Sequence, residues 1–270
     1  MTVLIPGLIA SFLMGTSLGL IGAGGAILTV PILVYIFEQD VMRATTNSLF
    51  VVGVAALVGA LMKAIHRNVD IKAGFFFALP GFLSIFLVRR YLLPFLPDVL
   101  LSGFGFLVTK QSFVMTFFAF TMFFSSWAMI RSANRPSPDE SRRHDSSPYF
   151  INVAVKGSLI GGITGLVGAG GGFLIIPALV LLLKFPVRLA VGTSLAIVAA
   201  NSLFGFAISF PSVKNEDCPL LLSVCVLAVL GMFFGEILSS KMNERRLKKG
   251  FGYFVLTIAA LLLYDQSANL

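Results

Sequence analysis

Charge is scarce in this chain: 12% of its 270 residues are Asp, Glu, Lys or Arg, where a soluble domain uses about 25%. That is too little to cover a water-exposed surface. With 57% hydrophobic residues and a mean hydropathy of +0.95, most of the exterior must face lipid, and the chain reads as an integral membrane protein. Cysteine is almost absent, so a disulfide framework is excluded; Cys218 and Cys225, at i, i+7 on one apolar segment, read as small core residues. Histidine is limited to His66 and His144, both between apolar runs, which excludes a histidine-built metal cluster and an intramembrane zinc protease. The same scarcity leaves Gly192-Thr193-Ser194, which has the look of a serine nucleophile, without a base. Neither catalysis nor a cofactor nor a metal is expected. Lys and Arg number 20 against 12 Asp and Glu, but they sit between apolar runs and not in a basic stripe interleaved with aromatics. That is the pattern of positive cytoplasmic loops, and no nucleic-acid partner is expected. The start, Met1-Thr2-Val3-Leu4, lacks the basic region of a secretory signal and is expected to stay in the mature protein.

What is abundant is apolar sequence. Charge-free runs cover 2–37, 44–62, 73–88, 111–130, 189–213, 218–235 and 250–264, and 150–183 is interrupted only by Lys156. Several reach the roughly 20 residues of a spanning helix. The runs from 2 and from 150 are too long: as straight helices they would measure about 50 Å against a hydrocarbon core of about 30 Å. Each must break or turn back, and each carries glycines in mid-run, Gly19-Leu-Ile-Gly22-Ala-Gly24-Gly25 and Gly165-Leu-Val-Gly168-Ala-Gly170-Gly171-Gly172.

These stretches align at an offset of 146 residues. Ten of sixteen positions are identical over 19–34 against 165–180, and the match continues through Ala44, Ser48, Leu49 and Gly59, paired with Ala190, Ser194, Leu195 and Gly205. The chain therefore divides into a first membrane repeat, 1–130, a polar Pro- and Ser-rich linker, 131–149, and a second membrane repeat, 150–270. If each long run enters, turns at its glycines and returns, fifteen basic residues fall on one side, among them Lys63, Arg67, Lys72, Arg131 and Arg245. The other side keeps five: Arg43, Arg89, Arg90, Lys110 and Lys214. The positive-inside rule then puts the linker in the cytoplasm and both termini outside, as expected in a bacterial inner membrane. Each half makes an odd number of crossings, so the second lies upside down relative to the first. The expected fold is all-α: about eight transmembrane helices in two inverted-topology repeats, with a broken or re-entrant Gly-rich first segment in each. The stretch 91–110 is expected to be an outer loop or a partial re-entrant segment. No arginine is expected deep in a span.

The motif Gly22-Ala-Gly24-Gly25 resembles the start of a dinucleotide fingerprint, but the third glycine is Ile27 in one copy and Phe173 in the other, and neither copy continues as a P-loop. The plain alternative is close helix packing through small residues. The functional reading is a pair of helix breaks whose backbone N–H groups, at Gly22, Ala23, Gly24 and Gly25 and at Gly168, Ala169, Gly170 and Gly171, face a solute near the midplane. Thr46, Asn47 and Ser48 after the first break, and Thr193, Ser194 and Asn201 after the second, offer neutral donors; interhelical hydrogen bonding is the alternative. Asn201 has Ala55 as its first-half equivalent, an asymmetry suited to an asymmetric solute. Glu236 and Lys156 are the ionisable candidates for coupling or gating, against simple snorkelling to the interface.

The paired motif, Gly-Leu-Ile-Gly-Ala-Gly-Gly-x-x-Leu-x-x-Pro followed by Ala44-Thr-Thr-Asn-Ser-Leu49, with its second copy followed by Ala190-Val-Gly-Thr-Ser-Leu195, resembles the TauE/SafE family of membrane permeases. The resemblance covers nearly the whole chain. It implies a secondary transporter of a small sulfur-containing anion such as sulfite, thiosulfate or an organosulfonate, working by alternating access. A proton or sodium ion is the candidate coupling ion and the lipid bilayer the surroundings. A passive anion channel, or a permease for a non-sulfur organic acid, is the alternative.

Overall fold

The computed structural model describes residues 4–103, 106–132, 147–167, 172–182, 185–210, 218–239 and 244–268. Helix α1 (Leu4–Ile21) is followed by a returning segment made of a 3₁₀ helix (Ala23–Leu28), the single turn α2 (Thr29–Pro31) and a π-helical stretch (Ile32–Ile36). Asp40 caps α3 (Val41–Ile65), its carboxylate accepting from Met42 N at 3.0 Å. Asp70 caps α4 (Ile71–Leu87) in the same way, accepting from Ala73 N at 3.1 Å. A π-helical stretch (Val88–Leu92) and the turn α5 (Leu93–Phe95) extend α4. A two-stranded antiparallel ribbon, β1 (Val99–Gly103) with β2 (Phe106–Thr109), leads into α6 (Lys110–Ser132). The second half contains α7 (Ser147–Val167), α8 (Gly172–Pro177) with a π-helical stretch (Ala178–Leu182), α9 (Val187–Ser209), α10 (Cys218–Ser239) and α11 (Glu244–Ala268).

Two expectations change here. The stretch 91–110 is not a plain loop: the helix runs on to Phe95, and Val99–Gly103 then pairs with Phe106–Thr109 in a hairpin whose ends meet, the Lys110 N–H bonding the Asp98 carbonyl at 3.0 Å, a departure from an all-α chain. Arg89 and Arg90 are thus part of a 25-residue apolar span, Ile71–Phe95, and Arg89 is buried. Pro94 accounts for the irregular winding: its ring crowds the carbonyl four residues back and it donates no hydrogen bond, which the wider π turn accommodates.

Among the described residues, four helices are long and apolar enough to cross a membrane, Val41–Ile65, Ile71–Phe95, Leu189–Ser209 and Pro219–Ser239, and shorter apolar helices accompany them. The surface carries large apolar side chains such as Leu13, Leu61, Leu83, Leu159, Leu222 and Leu261, whereas Thr46, Asn47, Ser48, Thr193, Ser194 and Asn201 are buried. A lipid-solvated protein has little hydrophobic drive to pack helix on helix, so close contact falls to small residues. Between α1 and α10 these are Gly15, Gly19, Gly231 and Gly235, each so near the opposite backbone that a methyl group would collide with it. Between α4 and α7 they are Gly157, against the Phe77 carbonyl, and Gly161, against Gly81.

The same contacts fix the helix directions. Gly15 meets Ala228 and Gly19 meets Met232, so α1 and α10 are parallel; Gly59 meets Met232 and Lys63 pairs with Glu236, so α3 runs with them. Gly157 meets Phe77 and Gly161 meets Gly81, so α7 and α4 are parallel, and α4 runs with α9 through Gly74 beside Thr193 and Gly81 beside Asn201. Helices α3 and α9 are antiparallel, with Gly53 on Leu203, Gly59 on Leu195 and Gly205 on Leu49. Because α1 and α3 point the same way, residues 22–40 between them carry the chain back across the bundle.

Candidate functional site

The reversal after α1 is made at Gly22, with φ 78° and ψ −151°, a conformation open in practice to glycine alone. The Gly25 N–H donates to the Gly22 carbonyl at 3.2 Å, and Gly25 packs on the backbone of Leu18, so the returning segment lies directly against α1. Ala23 is fully buried, and Gly24 sits within the 3₁₀ turn. The two halves touch here, because Gly172 at the start of α8 fits against the backbone of Ala23 with no room for a methyl group. Gly168, Ala169, Gly170 and Gly171 lie outside the described residues.

Both returning segments are wound alike. Pro31 and Pro177 each stand before a five-residue π stretch, Ile32–Ile36 and Ala178–Leu182. Gln39 N–H bonds Leu33 O and Phe185 N–H bonds Leu179 O, each at 3.0 Å, and Ala44 to Asp40 has its counterpart in Ala190 to Pro186. Every pair is 146 residues apart.

The two polar motifs are brought to opposite ends of the antiparallel α3–α9 pair. Thr46 is level with Ser209, since Arg89 Nη1 donates to both hydroxyls, at 3.0 and 2.9 Å. Gly192, beside Thr193, lies against Lys63 and the Asn68 carbonyl. Between Thr46 and Lys63 run 17 residues of helix, about 25 Å at 1.5 Å each. One shell of ligands drawn from both motifs is therefore not what this arrangement presents; it presents one polar cluster at each end.

At the Thr46 end, the Thr46 hydroxyl also donates to the Met42 carbonyl at 3.2 Å, Arg89 Nη2 donates to the Thr45 carbonyl at 3.2 Å, and Asn47 Nδ2 donates to Gln39 Oε1 at 3.0 Å. At the Thr193 end, the Thr193 hydroxyl accepts the Asp70 N–H at 2.9 Å and so pins the start of α4. Ser48 and Ser194 donate to the carbonyls three residues back, Thr45 and Val191, in matching geometry. Between the clusters lies Asn201, 0% exposed, packed on Gly81, with neither amide atom partnered among the described residues. Unpaired amide groups in an apolar interior are costly, and the commonest remedy is a bound water or solute.

Glu236 of α10 pairs with Lys63 of α3, Oε1 to Nζ, at 2.6 Å, with side chains only 25% and 16% exposed. Lys156 is half-buried on α7, next to the outward-facing Val155, and makes no ion pair among the described residues. Reading the sequence missed Lys63 and Arg89. The repeat offset contained a signal for both, since Lys63 corresponds to Ser209 and Arg89 to Gly235 across 146 residues.

A cavity of about 910 Å³ opens between α1, the first returning segment and α11, lined by Leu13, Met14, Leu28, Phe254 and Leu261. It is almost wholly apolar, with Thr16 and Ser17 of α1 and the hydrogen-bonded pair Tyr35 and Asp265 as its polar lining; none of the residues of the polar clusters lines it, and it is a groove suited to lipid chains more than to an ion. The polar clusters, and not this groove, are the candidate site.

Several known proteins are similar to the chain. A probable membrane transporter protein of Xylella fastidiosa (strain Temecula1) is 27% identical over 267 residues, covering 96% of this chain and 94% of its own. A probable membrane transporter protein of Bacillus subtilis is 26% identical over 273 residues, covering 93% and 94%, and one of Methanocaldococcus jannaschii is 27% identical over 255 residues, covering 89% and 88%. No solved structure matches the chain. The family model for the sulfite exporter TauE/SafE matches residues 7–262, and with that match over nearly its whole length the chain belongs to the TauE/SafE family of membrane transporters.

Proposed function

We propose that the chain is a secondary transporter for a small sulfur-containing anion, such as sulfite, thiosulfate or an organosulfonate, and that it works by alternating access between two inverted repeats. The observation that carries this reading is the antiparallel α3–α9 pair: two helices at the same place in the duplicated sequence run in opposite directions and hold a polar cluster at either end. The crossed packing of α1 on α10 and of α7 on α4 supports it, since these pairs exchange under the same 146-residue correspondence. Such a pseudo-twofold lets one half rock on the other so that each cluster in turn meets water. The substrate class rests on the family, whose name is that of a sulfite exporter. The orientation rests on the positive-inside rule: the Lys63, Arg67 and Lys72 end and the 131–149 linker are cytoplasmic, the Arg89 end and both termini are outside, and the membrane is a bacterial inner membrane.

The test is binding followed by flux. Purified protein is melted in detergent with sulfite, thiosulfate, sulfoacetate, sulfate, acetate or chloride at two pH values, because a ligand of the native state raises Tm by mass action. A shift selective for one sulfur anion, with saturable uptake of that anion in liposomes, is expected. Equal response to every anion, with non-saturating flux, would replace the transporter with a passive channel.

A further inference from the structure

We propose that Arg89, with the hydroxyls of Thr46 and Ser209, forms the charge-recognising part of an oxyanion site at the outer end of the α3–α9 pair. The inference rests on the reading of the cargo as an anion and adds the residue that holds its charge. Arg89 is 8% exposed, yet no carboxylate among the described residues lies within ion-pair distance of it. Asp40, which caps the same end of α3, is engaged with Gln111 and the Met42 N–H; Asp70 caps α4 at the far end, and Glu236 holds Lys63. A guanidinium stays charged in a protein, and an unpaired charge removed from water is expensive, so a counter-charge has to come from elsewhere.

The hydrogen bonds show which donors are left for an anion. Of the five N–H donors of a guanidinium, three are used, to Thr46 Oγ1, Ser209 Oγ and the Thr45 carbonyl. The Nε–H has no partner and one Nη2–H remains. These lie on neighbouring nitrogens, the arrangement that grips two oxygens of a carboxylate, sulfonate or sulfite in parallel. The Ser209 hydroxyl, half-buried and already accepting from Arg89, has its own proton to donate to a third oxygen. Arg89 also stands in the π-helical stretch that extends α4, a form of helix often found at functional positions.

The other half sharpens the assignment. Thr46, Arg89 and Ser209 correspond to Gly192, Gly235 and Lys63 across the 146-residue offset. The cytoplasmic-end cluster also has a cation, but Glu236 neutralises it internally at 2.6 Å. In the outer cluster no carboxylate is paired with Arg89 among the described residues, so in this conformation the two ends differ in their demand for an anion.

The experiment measures anion-induced Tm shifts, and the Kd from them, for wild type, Arg89→Met and Arg89→Lys. Methionine should abolish the shift or weaken binding roughly tenfold or more, about 1.4 kcal/mol per factor of ten. The anion-free Tm should hold or rise, because an unpaired buried charge is replaced by an apolar chain. Lysine keeps the charge without the two-pronged grip and should fall between. An unchanged Kd in Arg89→Met overturns the assignment while leaving the transporter reading intact. No response of the wild type to any anion, with no anion flux in liposomes, overturns that reading and this inference with it. If Arg89→Met does not yield folded protein, Arg89→Lys and Ser209→Ala decide: at least about threefold weaker binding in both is expected, and unchanged binding in both refutes the site.

Discussion

Gly231→Ala and Gly162→Ala are the same chemical change in two transmembrane helices, and the structure predicts opposite outcomes. A methyl group at Gly231 would fall well inside van der Waals contact distance of the Phe12 carbonyl oxygen, 2.9 Å from Thr16 N and 3.0 Å from Phe12 C, all of it backbone of α1. At Gly162 on α7 it would meet nothing within 4 Å. Neither α1 nor α10 can yield locally, so the pair must part by about 0.5–1 Å, which forfeits a quarter to a half of each contact of about 0.1–0.2 kcal/mol. Over some 30 close atom pairs, an order-of-magnitude figure, the loss is about 1–3 kcal/mol, the usual range for overpacking. The gain of about 1 kcal/mol in helix propensity from glycine to alanine applies to both variants and cancels in the comparison. Gly231→Ala should therefore be less stable than Gly162→Ala by about 1–3 kcal/mol, and Gly162→Ala no less stable than wild type. Reversible unfolding in mixed micelles, followed by circular dichroism, gives both numbers. Equal stability of the two variants would refute the direct backbone contact of α1 with α10.

Three further outcomes are expected. Gly22→Ala forces a side chain into φ 78°, ψ −151°, with Val191 only 2.7 Å from the new Cβ; strain of about 1–3 kcal/mol should abolish flux while helix content and membrane insertion persist, and a normally transporting variant would sink the turn's role. Glu236→Gln strands Lys63 in a largely buried setting and should cost about 1–3 kcal/mol, discounted for the 16% and 25% exposure of the pair; in a double-mutant cycle with Lys63→Met, a coupling under about 0.5 kcal/mol would show that the pair contributes little. Asn201→Ala, which installs the residue found at the equivalent Ala55, should leave the anion-free Tm unchanged or higher and reduce the anion-dependent shift; a large loss of stability without anion would mark Asn201 as a structural hydrogen-bonding residue instead.

The lipid environment, the helical class and the reversal at Gly22 were legible because each follows from local composition. A long charge-free run cannot stay straight in a bilayer of fixed thickness, and glycines mark where it turns. The buried polar positions Thr46, Asn47, Ser48, Thr193, Ser194 and Asn201 were also found, since a hydroxyl or amide inside an apolar run must face protein. Their grouping was not found. Thr46 and Thr193 look like parts of one site in the aligned motifs, yet α3 and α9 cross in opposite directions and carry them to opposite ends.

Arg89 marks the boundary between the two kinds of information. Sequence by itself determined that the chain lives in a membrane, that it is duplicated at 146 residues and that its family is TauE/SafE. In the linear reading Arg89 ends a charge-free run, because hydropathy weighs each residue alone and a guanidinium weighs heavily toward water. The tertiary structure decided otherwise: α4 winds on through a π stretch to Phe95, and Thr46 of α3 and Ser209 of α9, 43 residues before and 120 after it in the chain, come close enough to bind the guanidinium. Burial of a charge depends on donors and acceptors brought from distant parts of the chain, and those are in place only once the helices have packed.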